Sequence, residues 1–176
     1  FETALAAFFR HYAAGLTVST RPYPGVIETL DALRGRGYLL GCVTNKPGRF
    51  TTPLLAALSL APYFTAVVAG DTLAAKKPDP APLLHAVDLL GANVATTTMV
   101  GDSMADLNAA RAAGMRVLCV SYGYSPTARL ADHAPDALFD RMPELLRLWP
   151  DLGGRGPANA ASCSPGRAQR NPASAT

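Results

Sequence analysis

Apolar residues along the chain fall into short dense runs that alternate with wider-spaced stripes, and this alternation predicts strands and helices in turn. Phe1, Leu5, Phe8, Phe9 and Tyr12 recur at helical spacing, which predicts an amphipathic helix over 1–14. Arg21-Pro22-Tyr23-Pro24-Gly25 reads as a stiff extended linker, because each proline biases its predecessor away from helix. Val26 to Arg34 predicts a helix with Val26, Ile27, Leu30 and Leu33 inward, closed by Gly35 and Gly37. Tyr38 to Thr44 is almost continuously apolar, the pattern of a strand buried on both faces of a parallel sheet. A helix follows from Arg49 to Leu58, then a short strand over Ala66 to Ala69 that ends at Gly70-Asp71.

The second half repeats the rhythm. A polar, prolyl loop, Lys76-Lys77-Pro78-Asp79-Pro80, leads into a helix over 81–90. Thr96 to Val100 predicts a strand that stops at Gly101, and an Ala-rich helix runs on through Ala113. Arg116 to Val120 is a further strand, 121–135 is loop-rich with a short helix over 127–131, and 137–139 is a small edge strand before a helix over 142–148. From Asp151 onward the composition predicts a disordered tail. Strand and helix alternate throughout. The expected fold class is therefore α/β, a Rossmann-like parallel sheet with right-handed crossovers and helices on both faces.

Composition narrows the function classes. Hydrophobic residues make up 49% and charged residues 16% of the 176, so a globular domain is expected. The net charge of +3 owes +2 to Arg155, Arg167 and Arg170 against Asp151, so the folded part is near neutral and no nucleic-acid partner is expected. Cys42, Cys119 and Cys163 show neither a disulfide framework nor zinc spacing. No run approaches the roughly 18 apolar residues of a membrane span, and no signal-peptide pattern occurs. A cytoplasmic location without membrane contact is the expectation. The chain opens on Phe1, inside a helical pattern, and is expected to be part of a longer protein.

Three strand ends carry polar groups where ligands sit in open α/β sheets. Thr44-Asn45 offers a hydroxyl and an amide beside backbone N–H groups entering a helix, which suits an anionic oxygen, or else forms an ordinary capped turn. Lys77, held extended by Pro78, reaches a phosphate or carboxylate as a point charge, or else sits in a solvated loop. Asp102 and Asp106 are expected on one face of the first helical turn, either as helix-terminal acids or as the hard oxygen ligands that magnesium takes.

In the order Thr-Asn, Lys-Pro, Gly-Asp-Ser-x-x-Asp, these positions resemble motifs two, three and four of the haloacid dehalogenase-like hydrolases. The resemblance runs from about Pro22 to Trp149. Tyr23-Pro24-Gly25-Val26, Val43 to Pro47, Gly70-Asp71-Thr72 and Lys76 to Pro80 resemble its phosphoglycolate phosphatase branch. The resemblance implies a Mg²⁺-dependent phosphatase working through an aspartyl-phosphate, with 2-phosphoglycolate as substrate and glycolate and phosphate as products. It implies that Thr44 and the Asn45 N–H hold phosphoryl oxygens, that Lys77 neutralises developing charge, that Asp102 ligates Mg²⁺ directly or through water, and that Asp106 orients that shell or Lys77. Lys46 touches substrate in this scheme, while Asp71 only terminates a strand and Ser103 shapes the turn.

One motif of the family has no match. The nucleophile-bearing Asp-x-Asp-Gly-Thr is absent, and Asp31 is the lone Asp before Thr44. The resemblance then implies that 1–20 is the remnant of a helical cap, that 21–150 is the core without its first strand, and that 151–176 is the tail. That strand belongs between the one ending at Thr44 and the one ending at Val100, so these two are expected to face each other unpaired across a gap. The polypeptide as given is expected to lack turnover and to be marginally stable or to aggregate. Other readings are a phosphomutase, a hydrolase for another sugar or nucleotide phosphate, a non-catalytic pseudophosphatase, and a receiver-type or Rossmann-like binding domain. The missing glycine fingerprint and early acidic cluster count against the last of these. Oligomeric state is not specified by the sequence.

Overall fold

The structure is a computed structural model and describes residues 20–147. The helix expected over 1–14 and the tail from 151 lie outside the described residues.

The chain enters through an extended linker into α1 (Val26–Gly35), whose Thr29, Leu30 and Leu33 are buried. β1 (Gly41–Val43) is followed by α2 (Gly48–Ala57), and β2 (Ala66–Val68) pairs with β1 in parallel, Cys42 opposite Val67. α3 (Ala81–Leu89) leads to β3 (Thr98–Gly101), α4 (Met104–Ala112) to β4 (Arg116–Val120), and α5 (Thr127–Asp132) to β5 (Ala137–Phe139). β3, β4 and β5 form a second parallel sheet with β4 in the middle.

β4 shows why helices must cover both faces. Along a strand successive side chains point to opposite sides. Val117 and Cys119 enter a buried cluster with Leu83, Val87, Leu107, Ala110 and Leu130 from α3, α4 and α5. Leu118 and Val120 enter another with Leu33 of α1, Phe139 and Leu145. Each fully buried aliphatic side chain contributes about 1.5–3 kcal/mol, so these two layers dominate the stability of the sheet. The Cys119 thiol, within the first cluster, is pushed up to about 11 by burial and then by the charges of Asp106 and Asp102. It is part of the core, where a free Cys behaves as a small hydrophobe.

Several boundaries differ from expectation. The strand predicted over 38–44 is a ladder of three residues, because its partner β2 is itself three residues long. One further bond at each end, Thr65 N–H to Leu40 C=O and Thr44 N–H to Val68 C=O, extends the pairing. The strand predicted from Thr96 starts at Thr98, since Asn93 Oδ1 accepts from Ala95 N–H at 2.8 Å and its carbonyl accepts from Thr97 Oγ1 at 2.8 Å, winding 94–96 into a 3₁₀ turn. The helix predicted from Met142 opens as a 3₁₀ turn over Met142–Glu144.

Among the described residues β1 and β3 are not hydrogen-bonded to each other, and each pairs on one side alone. N–H and C=O groups alternate in direction along a strand. Leu40 C=O and Thr44 N–H face β2, so the Val43 carbonyl points to the opposite, unpaired edge of β1.

Candidate active site

The segments that follow β1, β2, β3 and β4 line one cleft of about 530 Å³. Its lining includes Thr44, Asn45, Lys46, Lys77, Asp102, Ser103 and Asp106. Thr44 and Asn45 after β1, Lys77 in the loop between β2 and α3, and Asp102 and Asp106 after β3 are thus brought together. Asp71 is not among the lining residues.

Lys77 is buried rather than solvated, at 9% exposure. Its ammonium has three N–H donors. One goes to the Val43 carbonyl at the open edge of β1, at 2.6 Å, and one to Asp106 Oδ1, also at 2.6 Å. The side chain of Asn45 holds the Lys77 backbone on both sides: Nδ2 donates to Lys77 C=O at 2.8 Å, and Oδ1 accepts from Lys77 N–H at 3.0 Å. The Lys77–Pro78 peptide in this loop is cis.

This corrects the expectation for Asn45. Its amide is consumed by the Lys77 backbone and does not stand beside Thr44 as an anion ligand. The helix end is engaged too. α2 has Pro47 at its N-cap, and the Gly48 N–H donates to Asp71 Oδ1 at 2.7 Å. Asp71 therefore closes the amino end of α2, where a carboxylate is favoured by the helix dipole. Thr44 Oγ1 accepts from Lys46 N–H at 3.1 Å, which leaves the hydroxyl proton available to the cleft.

The two acids behave differently, and they do not share a helical face. The N-cap is Ser103, in an extended conformation, so Asp102 lies outside the helix and Asp106 is its third residue. A Ser N-cap with an acid at that position satisfies two free N–H groups reciprocally, and this local pairing overrides the i, i+4 arrangement. Asp106 Oδ2 accepts from Ser103 N–H at 3.1 Å, Ser103 Oγ at 2.7 Å and Asp102 N–H at 3.2 Å. The fold-back needs Gly101, since a Cβ there would stand 2.3 Å from Asp106 Cβ. Burial acts to raise the Asp106 carboxyl, but the Lys77 charge and these hydrogen bonds outweigh it and hold it below the usual carboxylate range.

Asp102 is half-buried, and its Oδ2 accepts from Tyr124 N–H at 3.2 Å. Burial, and then the neighbouring Asp106 carboxylate, push its carboxyl up, against the Tyr124 N–H and Lys77 that draw it down. Mg²⁺ takes one or two carboxylates and completes its octahedron with water and phosphate oxygens. Asp102 fits as one such ligand: a hard oxygen donor on the cleft wall, set in a notch that a Cβ on Gly123 would fill. Asp106, with both oxygens engaged, does not. Among the described residues no group of three or more His, Cys, Asp or Glu could hold a metal, so Asp102 would be one vertex of a shell completed by other groups.

Phe50 and Tyr124 also line the cleft, and sequence reasoning did not single them out. Tyr124 follows β4 in Tyr122-Gly123-Tyr124-Ser125, where a glycine between aromatics signals a close backbone approach. Phe50 is a buried residue of α2 and carried no polar signal.

Comparison with known proteins agrees with this geometry. The family model described as haloacid dehalogenase-like hydrolase matches residues 1–120. A phosphoglycolate phosphatase of Nitrosococcus oceani is 43% identical over 148 residues, 84% of this chain and 66% of that protein. One of Nitrosospira multiformis is 47% identical over 145 residues, covering 82% and 64%. Among solved structures, a predicted phosphoglycolate phosphatase from Haemophilus somnus 129PT superposes with a TM-score of 0.75 at 36% identity, covering 81% of this chain and 63% of that one. The chain thus spans slightly less than two thirds of the length of these relatives.

Proposed function

The chain belongs to the haloacid dehalogenase-like hydrolases, and from that premise we propose that the full-length protein is a Mg²⁺-dependent phosphatase hydrolysing 2-phosphoglycolate to glycolate and phosphate. The observation that carries the reading is the convergence of Thr44, Lys46, Lys77 and Asp102 on one cleft from three separate segments of the chain. Phosphate is a small polyanion, and cations, a hydroxyl and a metal-binding carboxylate around one space are the set that recognises it. The relatives named phosphoglycolate phosphatase support that substrate.

In this reading the Thr44 hydroxyl and the Asn45 N–H bind the phosphoryl oxygens, and Lys46 contacts the rest of the substrate. Lys77, itself buried, supplies fixed positive charge where negative charge builds in the transition state. Asp106 positions Lys77 and is not itself a ligand of substrate or metal. Asp102 would hold Mg²⁺, which when bound offsets phosphate charge and polarises the phosphoryl oxygens. The nucleophile would be a carboxylate that takes the phosphoryl group as the bond from phosphorus to the glycolate oxygen breaks and glycolate leaves, and water would then attack phosphorus to free the carboxylate and give phosphate. We place it on a strand pairing with the open edges of β1 and β3, where the Val43 carbonyl already orients Lys77. Residues 1–20 would belong to the remnant of a helical cap, 21–150 to a core without its first strand and 151–176 to a tail. A charged metabolite, with Cys42 and Cys119 as free thiols among the described residues, suits the cytoplasm.

The test is phosphate release by the full-length protein from 2-phosphoglycolate, hexose phosphates and nucleoside monophosphates, with Mg²⁺ or with EDTA. Turnover of 2-phosphoglycolate that needs Mg²⁺ supports the reading. Preference for a hexose or nucleoside phosphate overturns the substrate, and full turnover in EDTA overturns the metal.

A further inference from the structure

Asp102, on which the metal reading depends, is seated by backbone from a turn that no motif covers. After β4 the chain bends through Tyr122-Gly123-Tyr124-Ser125. The Tyr124 N–H donates to Asp102 Oδ2 at 3.2 Å, and the Ser125 N–H donates to the Asp102 carbonyl at 3.1 Å. Ser125 Oγ accepts from the N–H of Met104, the first residue of α4, at 3.1 Å, which fastens the turn to the helix that follows Asp102. Gly123 comes closest of all. A Cβ built on it would stand 2.0 Å from Asp102 Cβ and 2.5 Å from Oδ2.

We infer that this turn is the positioning element for Asp102, with Gly123 and Ser125 as its positioning residues. Backbone lying against both the carboxylate and its own peptide fixes the side chain without spending any side-chain freedom. Any residue larger than glycine at 123 must push either the carboxylate or the turn, because separations of 2.0–2.6 Å to Asp102 Cβ, Cγ and Oδ2 are far inside contact distance. The direction of the carboxylate on the cleft wall then changes. Mg²⁺ demands near-ideal octahedral geometry at about 2.0–2.1 Å, whereas Ca²⁺ tolerates irregular shells at about 2.3–2.6 Å. A displaced Asp102 should therefore lose Mg²⁺ more than Ca²⁺.

The inference rests on Asp102 as the metal ligand, and the experiment separates the two. Mg²⁺ and Ca²⁺ affinities of the full-length protein are measured by calorimetry, with melting curves in EDTA for every variant. Gly123→Ala is expected to weaken Mg²⁺ by about 10–100-fold, the range for partners that orient a ligand, and to lower the ratio of Mg²⁺ to Ca²⁺ affinity. Ser125→Ala should do the same to a smaller extent, and Ser125→Thr, which keeps the hydroxyl, should restore both. A merely structural role would lower the melting temperature and leave the ratio alone. If Gly123→Ala does not fold, the Ser125→Ala and Ser125→Thr pair decides. Unchanged affinities in folded variants, with binding abolished in Asp102→Asn, overturn the positioning role and leave the metal site standing. Unchanged binding in Asp102→Asn overturns the metal reading itself.

Discussion

Lys77 Nζ stands 2.6 Å from Asp106 Oδ1, and the two side chains are 8% and 7% exposed. The pair joins parts of the molecule that no strand ladder joins. Lys77 follows β2 and also binds the Val43 carbonyl of β1, while Asp106 belongs to the helix after β3. A buried ion pair is weak evidence for stability as such, but breaking one partner leaves the other charge stranded. Lys77→Met and Asp106→Leu should each cost about 3–5 kcal/mol, and the double variant should recover much of that loss. Urea denaturation of the four proteins measures the coupling. Single variants within half a kcal/mol of the parent would falsify the pairing.

The same pair sets an acid limb in stability. The Asp106 carboxyl is held below its unfolded value of about 3.9, because Lys77 and the hydrogen bonds outweigh its burial. Such a group stabilises fully above the unfolded value and loses that contribution as pH falls through the folded one. Denaturation midpoints measured from pH 6 down to pH 2 should fall steeply below about pH 4. In Asp106→Asn the fall should be shallower.

Asp102 carries the opposite sign. Burial, and then the Asp106 charge, raise its carboxyl, so its ionised form costs the folded state stability at neutral pH. Asp102→Asn should melt at a higher temperature than the parent in EDTA at pH 7. It should also lose stabilisation by Mg²⁺, with turnover down at least about 10²-fold, as expected when fixed charge at the reaction centre is lost. Thermal melts with and without Mg²⁺ separate the two effects. A lower melting point in EDTA would contradict the cost assigned to this carboxylate.

The parallel α/β order was legible because each strand is a dense apolar run and each helix a stripe, and β4 shows both in one element. The polar residues at strand ends were legible as a set for the same reason. Their individual bonds were not. Asp102 and Asp106 sit at a helical spacing, yet the Ser103 cap ejects Asp102 from the helix, and only the Gly101 notch lets Asp106 fold back. Asn45 lies 32 positions from Lys77 and Asp102 lies 22 from Tyr124, and no local pattern encodes contacts at such separations.

Gly101 tests the fold-back directly. A Cβ at this position would lie 2.3 Å from Asp106 Cβ and 3.0 Å from its Oδ2. Gly101→Ala must displace the Asp106 carboxylate from Ser103 and Lys77, and overpacking of this kind costs about 1–3 kcal/mol. The substitution should also remove part of the acid limb described for Asp106. A stability equal to the parent, with the pH profile unchanged, would show that Asp106 has room to move.

Asn45 separates a clamp from an anion ligand. Its amide donates to Lys77 C=O and accepts from Lys77 N–H, a two-point match that fixes the loop carrying the ammonium. Asn45→Asp keeps the acceptor but turns the donor into a second acceptor facing the Lys77 carbonyl, while Asn45→Ala removes both bonds. Leaving buried backbone groups unpaired costs about 1–3 kcal/mol, so both variants should be destabilised, Asn45→Asp at least as much at neutral pH. If Asn45 acts through Lys77, turnover should fall mainly in kcat, because positive charge on the transition state is misplaced while substrate is still bound. If the amide instead binds substrate, KM should rise and kcat should hold. Steady-state kinetics of Asn45→Ala on 2-phosphoglycolate, read beside its melting curve, distinguish the two. A change confined to KM would return Asn45 to the role its place beside Thr44 first implied.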